Sequence, residues 1–134
     1  MGNFLLVIAE KDCGKRAEGI FEKGLRLASE LKGTPKADTL IRPNLWAAGF
    51  PRRNGSGGNV TIDTETGDWL LSIGIWFCGD ISGADRERQL LSLIRNEGIG
   101  KAARYLEGFF VIAGSTRDKE VFVITDIIGS CHAF

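Results

Sequence analysis

The stretch LEGFFVIAGSTRDKEVFVITDIIGS, residues 106–130, constrains the fold of this chain more than any other part of it. Two apolar runs, residues 109–114 and 121–125, flank the charged segment STRDK. Short runs rich in β-branched and aromatic residues on either side of a polar turn predict a β-hairpin. Because strand side chains alternate between two faces, we expect one face of this hairpin to lie in the core. That face consists of Phe110, Ile112, Phe122 and Ile124.

The rest of the chain mixes helical and strand-like patterns. Apolar residues recur at three- and four-residue steps over 15–32, which predicts an amphipathic helix, and residues 86–96 and 99–105 are predicted to form two further helices. Asp85 is the predicted N-cap of the second helix and Gly98 its stop. Short apolar runs predict strands at 3–9, 37–41, 45–50, 60–63 and 69–75. Together these elements indicate an α+β domain with mainly antiparallel strands.

Composition limits the class of protein. A chain of 134 residues is predicted to form one domain, residues 1–134. Lys plus Arg and Asp plus Glu number 17 each, so the net charge offers no electrostatic case for nucleic acid or an anionic membrane. No apolar run reaches the length of a membrane span. Three cysteines without a Cys-x-x-Cys argue against a disulfide framework or a zinc site, so we expect free thiols and a cytoplasmic location.

The last third of the chain carries a recognisable order of residues. A helix leads into Leu106, Glu107, Gly108, Phe110 and Val111, and the second hairpin strand ends on Thr125, Asp126 and then Gly129. This order resembles the class II glutamine amidotransferase domain of asparagine synthetase-like proteins. There a helix precedes Leu-Asp/Glu-Gly-x-Phe-Ala/Val, and the second strand ends in Arg-Asp. The stretch GDWLLSIGIWFCGD, residues 67–80, resembles the family strand that ends in Asn-Gly-Glu-Ile-Tyr-Asn.

The resemblance implies a fold and a partner. The fold is the four-layer αββα sandwich of the N-terminal-nucleophile hydrolase type, with mainly antiparallel sheets. The chain is shorter than a full amidotransferase domain, so it corresponds to a stand-alone relative or to the amino-terminal part of a larger synthetase. The partner is an adenylating synthetase domain or subunit. ATP and magnesium belong to that partner, and the resemblance implies no cofactor in this chain.

The catalytic positions of the family are changed in this chain. In the family an amino-terminal Cys, exposed by removal of Met, attacks the glutamine amide with its own α-amine as base. Here removal of Met1 would expose Gly2, which has no nucleophile. The Asn of the family's oxyanion hole corresponds to Ile73, which has no amide to donate, although Gly74 keeps a backbone donor.

Two further positions complete this degenerate pocket. The glutamate that would bind the substrate amine corresponds to Ile75. The Arg of the Arg-Asp pair corresponds to Thr125, while Asp126 is retained. We therefore assign no catalytic residue and expect no glutaminase activity.

Other groups offer weaker chemistry. Cys13 lies at the predicted start of the first helix, where the helix dipole lowers a thiol pKa. Cys131 and His132 are adjacent, so strand alternation would point them to opposite faces. His132 is the only histidine, which argues against a metal site. The loop NGSGGN, residues 54–59, lacks the helix N-terminus that a phosphate-binding loop requires.

The sequence thus favours a pseudoenzyme domain: a non-catalytic, amidotransferase-like scaffold that makes protein–protein interactions in an ATP-dependent, asparagine synthetase-like amide-forming system. Two alternatives stay open. One is a small module that binds an amino acid in the degenerate pocket. The other is an independent thiol enzyme that uses Cys13 or Cys131. The amide product, the fusion to a synthetase domain and self-association into a homo-oligomer are also open.

Overall fold

The structure is a computed structural model, and it describes residues 3–32, 37–50, 58, 60–116 and 120–128. The described chain mixes helices with two antiparallel sheets, so the predicted α+β class is confirmed. Its residues group into two compact units, Met1–Val60 and Thr61–Phe134. A compact unit is not by itself a separate domain, so the single domain stays a prediction.

The first unit pairs one long helix with a three-stranded sheet. Its elements are β1 (Asn3–Ile8), a short 3-10 turn (Lys11–Cys13), α1 (Gly14–Lys32), β2 (Asp38–Arg42) and β3 (Leu45–Phe50). The strand order is β1-β3-β2, and both pairs are antiparallel. One face of the sheet packs on α1. The alternate residues of β3 that point to this face contact the helix, since strand side chains alternate between two faces. The buried cluster on that face is formed by Ala17, Phe21, Trp46, Ala48 and Phe50.

The second unit contains a four-stranded sheet and two helices. Its elements are β4 (Val60–Ile62), which begins at the unit boundary, β5 (Trp69–Cys78), α2 (Arg86–Glu97), α3 (Ile99–Tyr105), β6 (Leu106–Ser115) and β7 (Phe122–Thr125). The strand order is β4-β5-β6-β7. The pairs β5–β6 and β6–β7 are antiparallel.

Helices α2 and α3 cover one face of this sheet. The buried cluster between them and the strands is formed by Leu70, Trp76, Cys78, Leu90, Leu91, Ile94, Ala102, Leu106, Phe110, Ile112 and Phe122. Ile124 packs against its edge. All four residues predicted for the inner face of the hairpin therefore lie in or against this core, and that prediction is confirmed.

The structure corrects three details of the sequence-based expectations. Strand β5 runs on to Cys78, and β6 begins at Leu106 rather than at Phe109, because these strands pair along their full length from Trp69↔Ser115 to Cys78↔Leu106. Asp85 occupies the N-cap position of α2, but its side chain makes no capping hydrogen bond. Gly98 ends α2 as predicted, with its N–H donating to the carbonyl of Ile94.

Membrane insertion through a helix finds no support in the described residues. None of the helices there combines the length and the apolar character that crossing a bilayer requires.

Candidate functional site

Three of the pocket positions named from the sequence lie on one face of the second sheet. Ile73 of β5 is opposite Val111 of β6, and Val111 is opposite Thr125 of β7. Ile73, Val111 and Thr125 thus form one row across three strands. Ile75 lies two residues along β5 from Ile73, on the same face and opposite Phe109. Gly2, the remaining position named for the amino-terminal end of this pocket, lies outside the described residues.

The three pocket positions on this face, Ile73, Ile75 and Thr125, are mostly apolar. Ile73 is half-buried, whereas Ile75 and Thr125 are exposed. An isoleucine side chain neither donates nor accepts a hydrogen bond, so only the Thr125 hydroxyl offers a polar group among these three side chains. These three positions therefore offer mainly apolar contacts.

Gly74 and Gly108 shape the backbone beside this row. Gly74 has φ of +94° and Gly108 has φ of +124°, a region that L side chains rarely adopt. A Cβ on Gly74 would lie 2.0 Å from the carbonyl oxygen of Phe109, and a Cβ on Gly108 would lie 2.2 Å from that of Ile75. Gly108 lies within β6, where the absence of a side chain lets the two strands pass close together.

Asp126 has a structural role at the end of β7. Its side chain is buried, and its Oδ2 accepts the backbone N–H of Phe110 at 3.2 Å. Its own backbone N–H donates to the carbonyl oxygen of Phe110 at 3.1 Å. These two bonds extend the β6–β7 pairing by one position beyond Val111↔Thr125. The retained carboxylate is thus engaged by the backbone of its own sheet.

Large exposed apolar side chains adjoin the row, and the sequence did not reveal two of them. Ile75 is 57% exposed, Phe77 62% and Phe109 57%. Their neighbours Trp76 and Phe110 point to the helix-covered side and are buried. Strand alternation was the signal for both. The predicted inner position of Phe110 implies that Phe109 points away from the core, whereas finding Phe77 also requires the phase of β5.

An ionic network centred on Arg95 holds the β4–β5 turn. Nε of Arg95 on α2 donates to Oδ2 of the buried Asp68 at 2.6 Å. Its terminal nitrogen donates to Oδ2 of Asp63 at 2.7 Å and to the Thr66 hydroxyl at 2.8 Å. The hydrogen bond from Arg95, supported by backbone N–H groups of the turn, lowers the pKa of Asp63 to about 2. This network ties the turn to α2, and its groups are engaged with one another.

The thiols differ in their surroundings. Cys13 is exposed in the turn that precedes α1, so it is accessible to reagents. Cys78 is buried in the helix-side core, and burial raises the pKa of its thiol, which keeps it protonated and weakly nucleophilic near neutral pH. Cys131 and His132 lie outside the described residues. Within the described ranges, no three His, Cys, Asp or Glu side chains group so as to hold a metal ion.

Comparison of the chain with protein-family models, with curated proteins and with solved structures found no match. The resemblance to class II amidotransferase domains therefore rests on the residues quoted above, and what it implies is a proposal.

Proposed function

We propose that this chain is a non-catalytic, amidotransferase-like scaffold domain of an asparagine synthetase-like system that forms amide bonds with ATP. The observation that carries the proposal is the placement of three pocket positions on the second sheet. Ile73, Ile75 and Thr125, the positions that the resemblance assigns to a glutamine pocket, share one face of one sheet. Two of the three are aliphatic. A pocket that had kept its site but lost its polar groups would have this composition.

The proposal includes the fold. The four-layer αββα sandwich of the N-terminal-nucleophile hydrolase type requires two antiparallel sheets, each with helices on one face. Each unit supplies one such sheet: β1–β3 with α1, and β4–β7 with α2 and α3. This match in elements supports the assignment.

The proposed role is to bind and shape an adenylating partner. ATP and magnesium chemistry would belong to that partner. This chain would contribute a surface at the substrate entrance, which accords with the large apolar side chains that it exposes. Contiguous exposed apolar residues on a folded chain mark contact sites for other molecules.

Affinity capture tests the proposal. The chain carrying an affinity tag is incubated with extract of the cells that produce it, and the retained proteins are identified by mass spectrometry. We expect a synthetase subunit of the ATP-pyrophosphatase type. Circular dichroism confirms that the tagged chain is folded before the incubation. Recovery of no synthetase, with the chain monomeric by light scattering, would contradict the scaffold role.

A further inference from the structure

Three apolar side chains form one continuous exposed surface on the second sheet, here called the apolar patch: Ile75, Phe77 and Phe109. Ile75 and Phe109 are directly opposite each other on β5 and β6. Phe77 lies two residues along β5 from Ile75 and therefore points to the same face. Side chains opposite or diagonal to one another on a sheet face are within contact range of aromatic groups. Each member is more than half exposed. Because the three also adjoin one another on the sheet, they form a patch rather than three scattered exposed residues.

Carboxylates border the patch, and the two strands that carry it hold no cationic side chain. Strands β5 (Trp69–Cys78) and β6 (Leu106–Ser115) contain no Lys or Arg. Glu107 is exposed and directly opposite Phe77, and Asp80 is exposed just beyond the end of β5. The whole chain has equal numbers of acidic and basic residues, so this asymmetry is local.

The carboxylates beside the patch distinguish among the molecules that could cover it. A second copy of the chain would bring the same apolar patch, with its Glu107, against an identical surface. Two like charges brought together at an interface are unfavourable, and an anionic membrane is disfavoured for the same reason. A partner segment with apolar side chains and flanking cations would cover the aromatic rings and pair with the carboxylates.

We propose that the apolar patch is a docking surface for an apolar segment of a partner protein flanked by Lys or Arg. This inference rests on the proposed function, because it locates the contact on the chain and gives the chemistry of the partner's side of it.

Two synthetic peptides probe the surface. The basic probe has a core of Leu, Val and Phe with paired Lys at both ends, and the acidic probe has the same core with Glu in place of Lys. Binding is measured by fluorescence anisotropy at low ionic strength, where charge preference is strongest. We expect the basic probe to bind at least about tenfold tighter than the acidic probe.

Variants of the chain locate the binding. In Glu107→Lys we expect the preference between the probes to shrink or reverse. In Phe77→Ser/Phe109→Ser we expect binding of the basic probe to weaken at least about tenfold, as loss of aromatic anchors does at interfaces. The matched control is Ile20→Ser/Leu27→Ser, which removes two exposed apolar side chains of α1 and should leave binding unchanged. Circular dichroism confirms that each variant is folded.

Several results would overturn the inference. These are the absence of saturable binding by the basic probe, equal binding by the wild type and Phe77→Ser/Phe109→Ser, and a wild-type dimer that this double substitution dissociates. The capture experiment separates the two proposals. Equal recovery of a synthetase by the wild type and Phe77→Ser/Phe109→Ser would retain the scaffold role and refute the apolar patch as its contact. Selective binding of the basic probe without recovery of a synthetase would retain the apolar patch as a docking surface and refute the scaffold role.

Discussion

Gly74 and Gly108 are the residues whose identity the backbone constrains most directly. Both have positive φ, and a Cβ on either would overlap a carbonyl oxygen of the opposite strand. We expect Gly108→Ala to lower the free energy of unfolding by about 2 kcal/mol or more, since left-handed backbone strain and the steric clash add. Urea unfolding followed by circular dichroism measures the change.

Gly19→Ala is the control for this substitution. Gly19 lies within α1, and a Cβ there would meet no atom within 4 Å. Replacing a glycine inside a helix by alanine favours the helix by up to about 1 kcal/mol. Equal urea midpoints for Gly108→Ala and the wild type would contradict the close approach of β5 and β6 at Gly108.

The lowered pKa of Asp63 predicts that the stability of the fold depends on pH. The hydrogen bond from Arg95 lowers the pKa of Asp63 from 3.8 to about 2 in the folded chain. A carboxylate with a lowered folded-state pKa stabilises the fold above its unfolded pKa and loses that contribution as the pH falls through the folded value. The loss should therefore occur between pH 3.8 and about 2. Melting temperatures of the wild type should fall more steeply there than those of Asp63→Asn, and parallel curves would contradict the prediction.

Asp126 and Arg95 illustrate what could not be predicted at the level of single residues. Asp126 was identified as a retained pocket residue, yet its carboxylate accepts a backbone N–H from the neighbouring strand. Arg95 was predicted only to lie in a helix, yet its guanidinium donates hydrogen bonds to both Asp63 and Asp68 at the β4–β5 turn. Both interactions depend on which residues are brought together by strand register and helix packing, and a local pattern carries no information on either.

At the level of elements, α2 supplies three apolar side chains to the helix-side core of the second unit. Leu90, Leu91 and Ile94 are buried there. Leu90 has no exposed surface, so Leu90→Ala should cost about 2–5 kcal/mol through lost burial and the cavity left behind. Ser92→Ala, on the exposed side of the same helix, should stay within about 0.5 kcal/mol of the wild type. Chemical denaturation of both variants tests this, and a similar cost for the two would contradict the packing of α2.

The helices and strands themselves were largely predictable, because the apolar residues of each follow the spacing of a helix or a strand. The three-to-four-residue spacing of α1 and the glycine stop of α2 are local signals, and both are confirmed. Strand ends were less predictable. The pairing of Cys78 with Leu106 extends β5 and β6 past the limits of their apolar runs, and that pairing involves residues far apart in the chain.

At the level of the whole molecule, the candidate site was predicted in part. The resemblance named Ile73, Ile75 and Thr125, and strand register places them on one face. Phe77 and Phe109, the exposed aromatic members of the apolar patch, were not singled out from the sequence. The outward direction of Phe109 follows from the predicted inner position of Phe110, whereas that of Phe77 depends on the register of β5 against β6.

Release of ammonia from glutamine tests the central claim, a scaffold without glutaminase activity, most directly. The chain is prepared with Met1 removed, as verified by mass spectrometry, and ammonia is followed by a coupled assay as glutamine is varied. The account predicts no release above that of a heat-denatured sample, because Gly2 offers no nucleophile and Ile73 and Ile75 offer no polar group to the substrate. Saturable ammonia release that depends on removal of Met1 would contradict it.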